Sequence, residues 1–83
     1  VVEPTSNGIG SDAFALVWDG TLHGLNASGK SPENLPLEPF AELDKMPRLG
    51  WLTTTVPGAV SAWYTLWKRW GKLPFEQLFE PAI

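Results

Sequence analysis

The 83-residue chain has no cysteine, one histidine, one methionine and one tyrosine. Without cysteine it forms neither a disulfide nor a thiolate metal site, and His23 alone cannot build a multi-histidine one. No metal or other cofactor is therefore expected. The missing cysteines fit a reducing compartment without requiring it, since exported proteins also dispense with them. Charge is sparse too, with six basic and nine acidic residues and a formal net charge of −3. Lys68 and Arg69 are the only adjacent basic pair, too little for a phosphate backbone, so nucleic acid is not an expected partner. No apolar run approaches the ~20 residues that span a bilayer and no signal-peptide pattern is visible, so a membrane is not expected either. The compartment stays open. Repeats and low-complexity segments are absent as well.

What the chain does have is aromatic bulk: five Trp and four Phe, set among eight Pro and eight Gly. A large aromatic side chain buries ~150–250 Å², and a domain this short covers well under three-quarters of its unfolded surface. Several of these rings left wet would form an apolar patch of the kind that marks an interface. The length allows one domain at most, and the composition points to a partial one that packs against more protein.

Ala13-Phe14-Ala15-Leu16-Val17-Trp18 is a near-continuous apolar run of strand length, as in a strand covered on both faces. Asp19-Gly20 is a turn dipeptide, and Thr21 to Leu25 resumes as a second strand, giving a hairpin over 14–25. Pro32, Pro36 and Pro39 make 28–39 an extended loop, and 38–45 is read as one or two helical turns. Trp51 to Val56 has the β-branched composition of a short strand. Pro57 then suits the first turn of a helix, in which Val60, Trp63, Leu66, Trp67 and Trp70 recur at helical spacing with Ala59 and Ala62 alongside. Lys68 and Arg69 fall in its last turn, and Gly71 is placed for a C-terminal cap. Pro74 opens a second helix through Phe75, Leu78 and Phe79. The fold class is α+β.

Val1-Val2-Glu3-Pro4-Thr5-Ser6-Asn7-Gly8-Ile9-Gly10, then Gly24-Leu25-Asn26-Ala27-Ser28-Gly29-Lys30-Ser31-Pro32, then Thr55-Val56-Pro57-Gly58-Ala59-Val60 follow one another in order. With Trp70-Gly71-Lys72-Leu73-Pro74-Phe75 and Leu78 to Ile83 they resemble the gamma-glutamyltranspeptidase family of N-terminal-nucleophile hydrolases. The resemblance runs over nearly the whole chain and is weakest between Glu33 and Arg48. It implies a four-layer αββα fold, of which this chain supplies a part, and a proenzyme that cleaves itself. The new N-terminal Thr of the smaller subunit is then the nucleophile, with its own α-amine as base. The chain would be an early part of the larger subunit, and the catalytic Thr would lie beyond Ile83, so none of its own residues is expected to be catalytic. Its partners would be the remainder of the proenzyme, including the small catalytic subunit, and a small amide or acyl substrate.

The family's larger subunit holds the γ-glutamyl α-carboxylate with an Arg in an Arg-Glu-x-Ala-Pro motif. With Pro32 as the motif's proline, the Arg position falls on Ser28 and the Glu position on Gly29. Serine lacks the charged, bidentate fork that a carboxylate favours, so the resemblance is closer to the gamma-glutamyltranspeptidase-like and cephalosporin-acylase-like branch. Asn26, Ser28 and Lys30 are the candidate substrate-binding residues, Lys30 as a displaced anion anchor. The bland readings stand beside these: a Ser-Gly turn for Ser28 and a solvated loop lysine for Lys30. Asn26-Ala27-Ser28 is also a formal glycosylation sequon, a pattern common by chance.

His23 has no Ser, Cys or Asp partner evident beside it in sequence and reads as a packed or surface histidine. Asp19 and Glu3 show no paired carboxylate, and Glu3 before Pro4 reads as structural. Gly8-Ile9-Gly10-Ser11-Asp12 fits neither a P-loop nor a dinucleotide fingerprint, because a strand follows it. The Trp63, Trp67, Trp70 stripe reads as core or subunit interface rather than a ligand platform.

Two functional readings follow: a fragment of a gamma-glutamyltranspeptidase-like amidohydrolase or acyltransferase, and a self-contained Trp-rich α+β binding module without activity. They differ in a measurable way. As a fragment, the isolated chain should be poorly soluble or molten, with collapsed amide-resonance dispersion. A sharp thermal transition and well-dispersed resonances would favour the module instead.

Overall fold

The computed structural model describes residues 5–83; the reading of Glu3 before Pro4 lies outside them. Strand β1 (Ala13–Trp18) pairs antiparallel with β2 (Leu22–Ala27), with Ala13 opposite Ala27 and Trp18 opposite Leu22. The hairpin is thus where the sequence places it, although Thr21 belongs to the connection and β2 runs on to Ala27. Gly20, at φ 105°, supplies the left-handed residue that this connection requires.

Side chains of β1 alternate in size as well as in direction. Ala13, Ala15 and Val17 are half-buried on one face, whereas Phe14, Leu16 and Trp18 on the other are 69%, 78% and 73% exposed. The small residues let a helix lie close, and α1 (Ala59–Trp70) occupies that face. Its N-terminus abuts Ala27 and its C-terminus reaches His23, so it runs antiparallel to β2. The expectation of a strand covered on both faces is met on one face only within this chain.

Ala59 and Ala62, each 1% exposed, meet the hairpin, and Leu66 and Trp70 continue the same stripe half-buried. The apolar side of α1 is therefore two stripes rather than one. The other, through Trp63, Tyr64 and Trp67, takes the rings of the C-terminal segment: Trp67 and Phe75 centroids lie 5.3 Å apart, Tyr64 and Phe75 5.7 Å, and Trp63 and Phe79 6.1 Å. The Trp67 indole N–H donates to the Leu73 carbonyl at 2.7 Å and fixes the entry to that segment. Such ring pairs each add about 0.5–1.5 kcal/mol to the area they bury.

Some expected elements take other forms. The short strand over 51–56 is instead a 3₁₀ turn at Trp51–Thr53 followed by extended chain. One backbone bond, from the Val56 N–H to the Lys30 carbonyl at 2.9 Å, joins that chain to the loop after β2. Pairing stops there because the next donor in that register, the Gly58 N–H, is given to the Ser11 carbonyl. The second of the two helices is replaced by 3₁₀ turns at Glu76–Leu78 and Glu80–Ala82. Pro81 has no N–H to give to the Gln77 carbonyl, so an α-helical ladder opened at Pro74 has too few residues to nucleate. Over 38–45 only Glu38–Phe40 is helical, again as a 3₁₀ turn. Pro57 precedes α1 rather than opening it, with Gly58 as N-cap. Gly71 does end the helix, but with extended backbone at φ −63° and ψ 142°. It is glycine because a Cβ there would run into the Trp67 ring.

The sheet-plus-helix arrangement is an α+β one, yet among the described residues no large side chain is fully buried. The radius of gyration is 16.6 Å, against about 12 Å for a compact domain of this length. The self-contained module finds no support in a core of two alanines.

What holds the layers in register is backbone contact. The Ser11 carbonyl accepts the Gly58 and Ala59 N–H groups at 3.1 and 2.9 Å, satisfying two donors at the helix start without a side-chain cap. Gly58 lies so close to β2 that a Cβ on it would overlap the Ala27 carbonyl oxygen and sit 2.9 Å from its carbon. Gly58→Ala should therefore destabilise the protein carrying this segment by about 3 kcal/mol. Thermal denaturation checks this, and a wild-type Tm would contradict the close crossing.

Candidate functional site

The chain leaving β2 and the first turns of α1 enclose a cleft of about 570 Å³, a size that suits a small-molecule ligand. Asn26, Ser28, Gly29, Lys30 and Glu33 form one wall; Val56, Gly58, Ser61 and Thr65 form the other. Two close crossings set its width. Gly58 presses on Ala27, and a Cβ on Gly29 would collide with the Val56 carbonyl. On the helix wall, Ser61 Oγ donates to the Gly58 carbonyl at 2.8 Å and Thr65 Oγ1 to the Ser61 carbonyl at 2.8 Å. Both hydroxyl protons are thereby turned back onto the helix.

The sequence-derived candidates Asn26, Ser28 and Lys30 all line this one cleft. Asn26 Oδ1 accepts the Ser28 N–H at 2.9 Å and shapes the turn that follows the strand. Ser28 Oγ donates to Asp12 Oδ2 at 3.3 Å, and the Gly29 N–H donates to Asp12 Oδ1 at 2.8 Å. Asp12 was not among the candidates. Its signal is the hairpin register: with Ala13 opposite Ala27, the next residues outward are Asp12 and Ser28. The helix wall was also missed, because Ser61 and Thr65 reach the loop only through the tertiary crossing at Gly58. Ser11 Oγ donates to the Gly8 carbonyl at 2.7 Å, which closes the turn before β1.

A second cluster lies at the far end of the hairpin. Asp19 Oδ1 accepts from His23 Nε2 at 2.9 Å and from the Thr21 N–H at 3.3 Å, while Oδ2 accepts from the Trp70 indole at 2.9 Å. Arg69 Nη2 donates to His23 Nδ1 at 3.1 Å, which leaves the ring proton on Nε2 facing Asp19. The Arg69 guanidinium also stacks 4.8 Å from the Trp70 ring centroid. Both nitrogens of His23 are thus engaged in tying the hairpin turn to the end of α1. Its partner is Asp19, four residues earlier, which the sequence reading passed over. The indole N–H of Trp70, and then the His23 ring, hold the Asp19 carboxyl below its ordinary value of 3.8. Among the described residues no three potential metal ligands converge, and no helix is long and apolar enough to cross a membrane.

Comparison with known proteins adds to this geometry. The family model described as Gamma-glutamyltranspeptidase matches residues 1–83. Glutathione hydrolase 2 of Arabidopsis thaliana is 37% identical over 99% of this chain and 14% of its own length. Glutathione hydrolase proenzyme 1 of Schizosaccharomyces pombe is 34% identical over 99% of the chain and 13% of its own length. The Glutathione hydrolase-like YwrD proenzyme of Bacillus subtilis is 31% identical, over 99% of the chain and 16% of its own length. The chain therefore spans only about a seventh of the length of such relatives. No solved structure matches it.

The Asp19 contacts carry a pH dependence of definite sign. A depressed carboxyl pKa stabilises the fold fully above 3.8, and this contribution is lost as pH falls through the lowered folded value. Trp70→Phe removes the larger cause, so the Asp19 carboxyl-carbon titration should shift upward toward 3.8. An unmoved midpoint would show that the indole is not the cause.

Proposed function

Because this chain belongs to the gamma-glutamyltranspeptidase family, we propose that it is part of the large-subunit region of a gamma-glutamyltranspeptidase-like proenzyme that cleaves amides by acyl transfer. The nucleophile is an N-terminal Thr, freed by self-cleavage, that lies outside these 83 residues; its α-amine serves as base. The chain supplies part of the acyl pocket, the cleft between Asn26–Lys30 and the start of α1. Supporting this role, the loop that carries the family motif and the three candidate residues coincides with that cleft.

The αββα architecture belongs to the same proposal. Helix α1 is an outer layer, the hairpin is part of one inner sheet, and the second sheet covers Phe14, Leu16, Trp18 and Leu22. In its favour are the contiguity and exposure of those four side chains, each more than 60% accessible. An apolar face of this kind is normally buried by further protein. Relatives named as proenzymes several times longer than the chain supply enough polypeptide for that cover.

The acyl group is not an ordinary γ-glutamyl group. Ser28 stands at the position of the carboxylate-holding Arg, and a lone hydroxyl lacks the charge and the second donor of a guanidinium. Asn26 and Lys30 sit on either side of it along the same wall.

The full-length protein should hydrolyse simple acyl anilides and turn over a γ-glutamyl anilide at least about tenfold less efficiently, the equivalent of one charge-assisted hydrogen bond. Replacing the Thr that opens the small subunit with Ala should abolish both self-cleavage and turnover. Absence of any such self-cleavage would end the proenzyme proposal; robust γ-glutamyl transfer would end the inference from Ser28.

A further inference from the structure

Asp12 does not itself line the cleft, but it bonds two residues that do. It lies immediately before β1, across the hairpin from Ser28, and both of its oxygens are used by the loop: Oδ1 by the Gly29 N–H at 2.8 Å and Oδ2 by Ser28 Oγ at 3.3 Å. A carboxylate only accepts hydrogen bonds, so the proton between Ser28 and Asp12 belongs to the serine and points away from the cleft. The Ser28 oxygen is then left with lone pairs for whatever lies in the cleft. Its amide N–H is also unavailable, since it is donated to Asn26 Oδ1 at 2.9 Å. Across the cleft, the hydroxyl protons of Ser61 and Thr65 are donated to the helix carbonyls, so those oxygens present lone pairs as well. Charge along the cleft is mixed: the Lys30 ammonium and the Asn26 amide NH2 are donors flanking Ser28, Glu33 is an opposing negative charge, and Asp12 adds a second one at Ser28 itself.

We infer that Asp12 is a specificity-determining positioning residue, which makes the Ser28 wall a hydrogen-bond acceptor and selects substrates whose group at that wall is a donor, a carboxamide or an ammonium, over those carrying a carboxylate. A carboxylate beside Ser28 would meet lone pair against lone pair, with a like charge one side chain behind. A donor would complete a relay from substrate to Ser28 Oγ to Asp12, in which the carboxylate strengthens the serine oxygen as an acceptor. Gly29 holds the relay in place. Its N–H is bound to Asp12, and its missing side chain admits the Val56 carbonyl that locks the loop against the second wall.

The inference rests on the acyl-pocket role proposed above and is tested in a way that separates the two. In full-length protein, binding of glutaramate and of glutarate is measured by calorimetry, and hydrolysis of glutaramoyl and glutaryl anilides is measured alongside. Each pair differs in carboxamide against carboxylate at the same chain length. Wild type should favour the carboxamide of each pair by at least about tenfold. In Asp12→Asn the side-chain amide can donate to Ser28 Oγ, so the serine proton is released to the cleft and the preference should fall by about tenfold or invert. In a Ser28→Ala background the same Asp12 substitution should lose most of that effect, which a general loosening of the loop would not do. Equal carboxamide-to-carboxylate ratios in wild type and Asp12→Asn, a wild-type preference for the carboxylate, or no binding of either ligand would overturn the inference. If the anilides are not hydrolysed but the binding preference still shifts with Asp12, the enzymatic role fails and the selectivity stands. If they are hydrolysed with unchanged ratios, the selectivity alone fails.

Discussion

Everything in this chain is arranged by the near-contact of two backbones where α1 begins. Gly58 rests on the Ala27 carbonyl while its own N–H and that of Ala59 reach back to the Ser11 carbonyl. The helix start is thereby clamped between Ser11, two residues before β1, and Ala27, the last residue of β2. Side chains could not provide this clamp, because any Cβ on Gly58 would hold the layers apart. A second clamp of the same kind, Gly29 against Val56, closes the loop after β2 onto the segment that leads into the helix. The cleft is the space left between these two clamps. Its dimensions are therefore set by main-chain geometry, and its polar groups by whichever side chains happen to flank the crossings.

Packing follows from the size alternation along β1. Small residues at Ala13, Ala15 and Val17 face Ala59 and Ala62, so sheet and helix approach closely but exclude little apolar surface from water. The large residues Phe14, Leu16 and Trp18 point the other way. A hairpin with its bulk turned outward gains most of its burial energy from another layer; at ~25 cal/mol per Å² the covered side alone is a modest contribution. The aromatic packing of Trp63, Tyr64 and Trp67 with Phe75 and Phe79 is where several large side chains cluster, beside the smaller group of His23, Arg69 and Trp70. It secures the C-terminal segment to α1 and leaves the hairpin's outer face untouched.

Those features were legible to different depths. The hairpin could be read because Asp19-Gly20 and the apolar run are local signals, and α1 because its apolar spacing is. The division of the helix's apolar side into two stripes was not, since Ala59 and Ala62 look like filler until the hairpin is laid against them. The 51–56 segment has strand composition without a strand's partners, and composition carries no information about where the next free N–H lies. The 74–79 segment failed as a helix because Pro81 is close enough to curtail it, a signal that was present in the sequence and was outweighed by the apolar spacing. Asp19 with His23 was passed over although the residues are four apart: across a tight hairpin connection, that spacing brings them to the same end and makes them neighbours.

The loop from Asn26 to Lys30 shows how register turns into chemistry. In the sequence, Ser28 draws notice only through the resemblance, which lays it on an arginine position. In the structure it is one half of a pair, because the strand pairing that puts Ala13 opposite Ala27 carries Asp12 to Ser28. A carboxylate at that place would neutralise an arginine at position 28 and turn its fork away from a ligand, so Asp12 and an arginine there would work against each other. With serine, the same carboxylate has a productive role, orienting one hydroxyl and one loop amide. The two residues therefore make physical sense as a unit. A group placed against that wall meets the Ser28 oxygen with the Asp12 carboxylate bonded behind it.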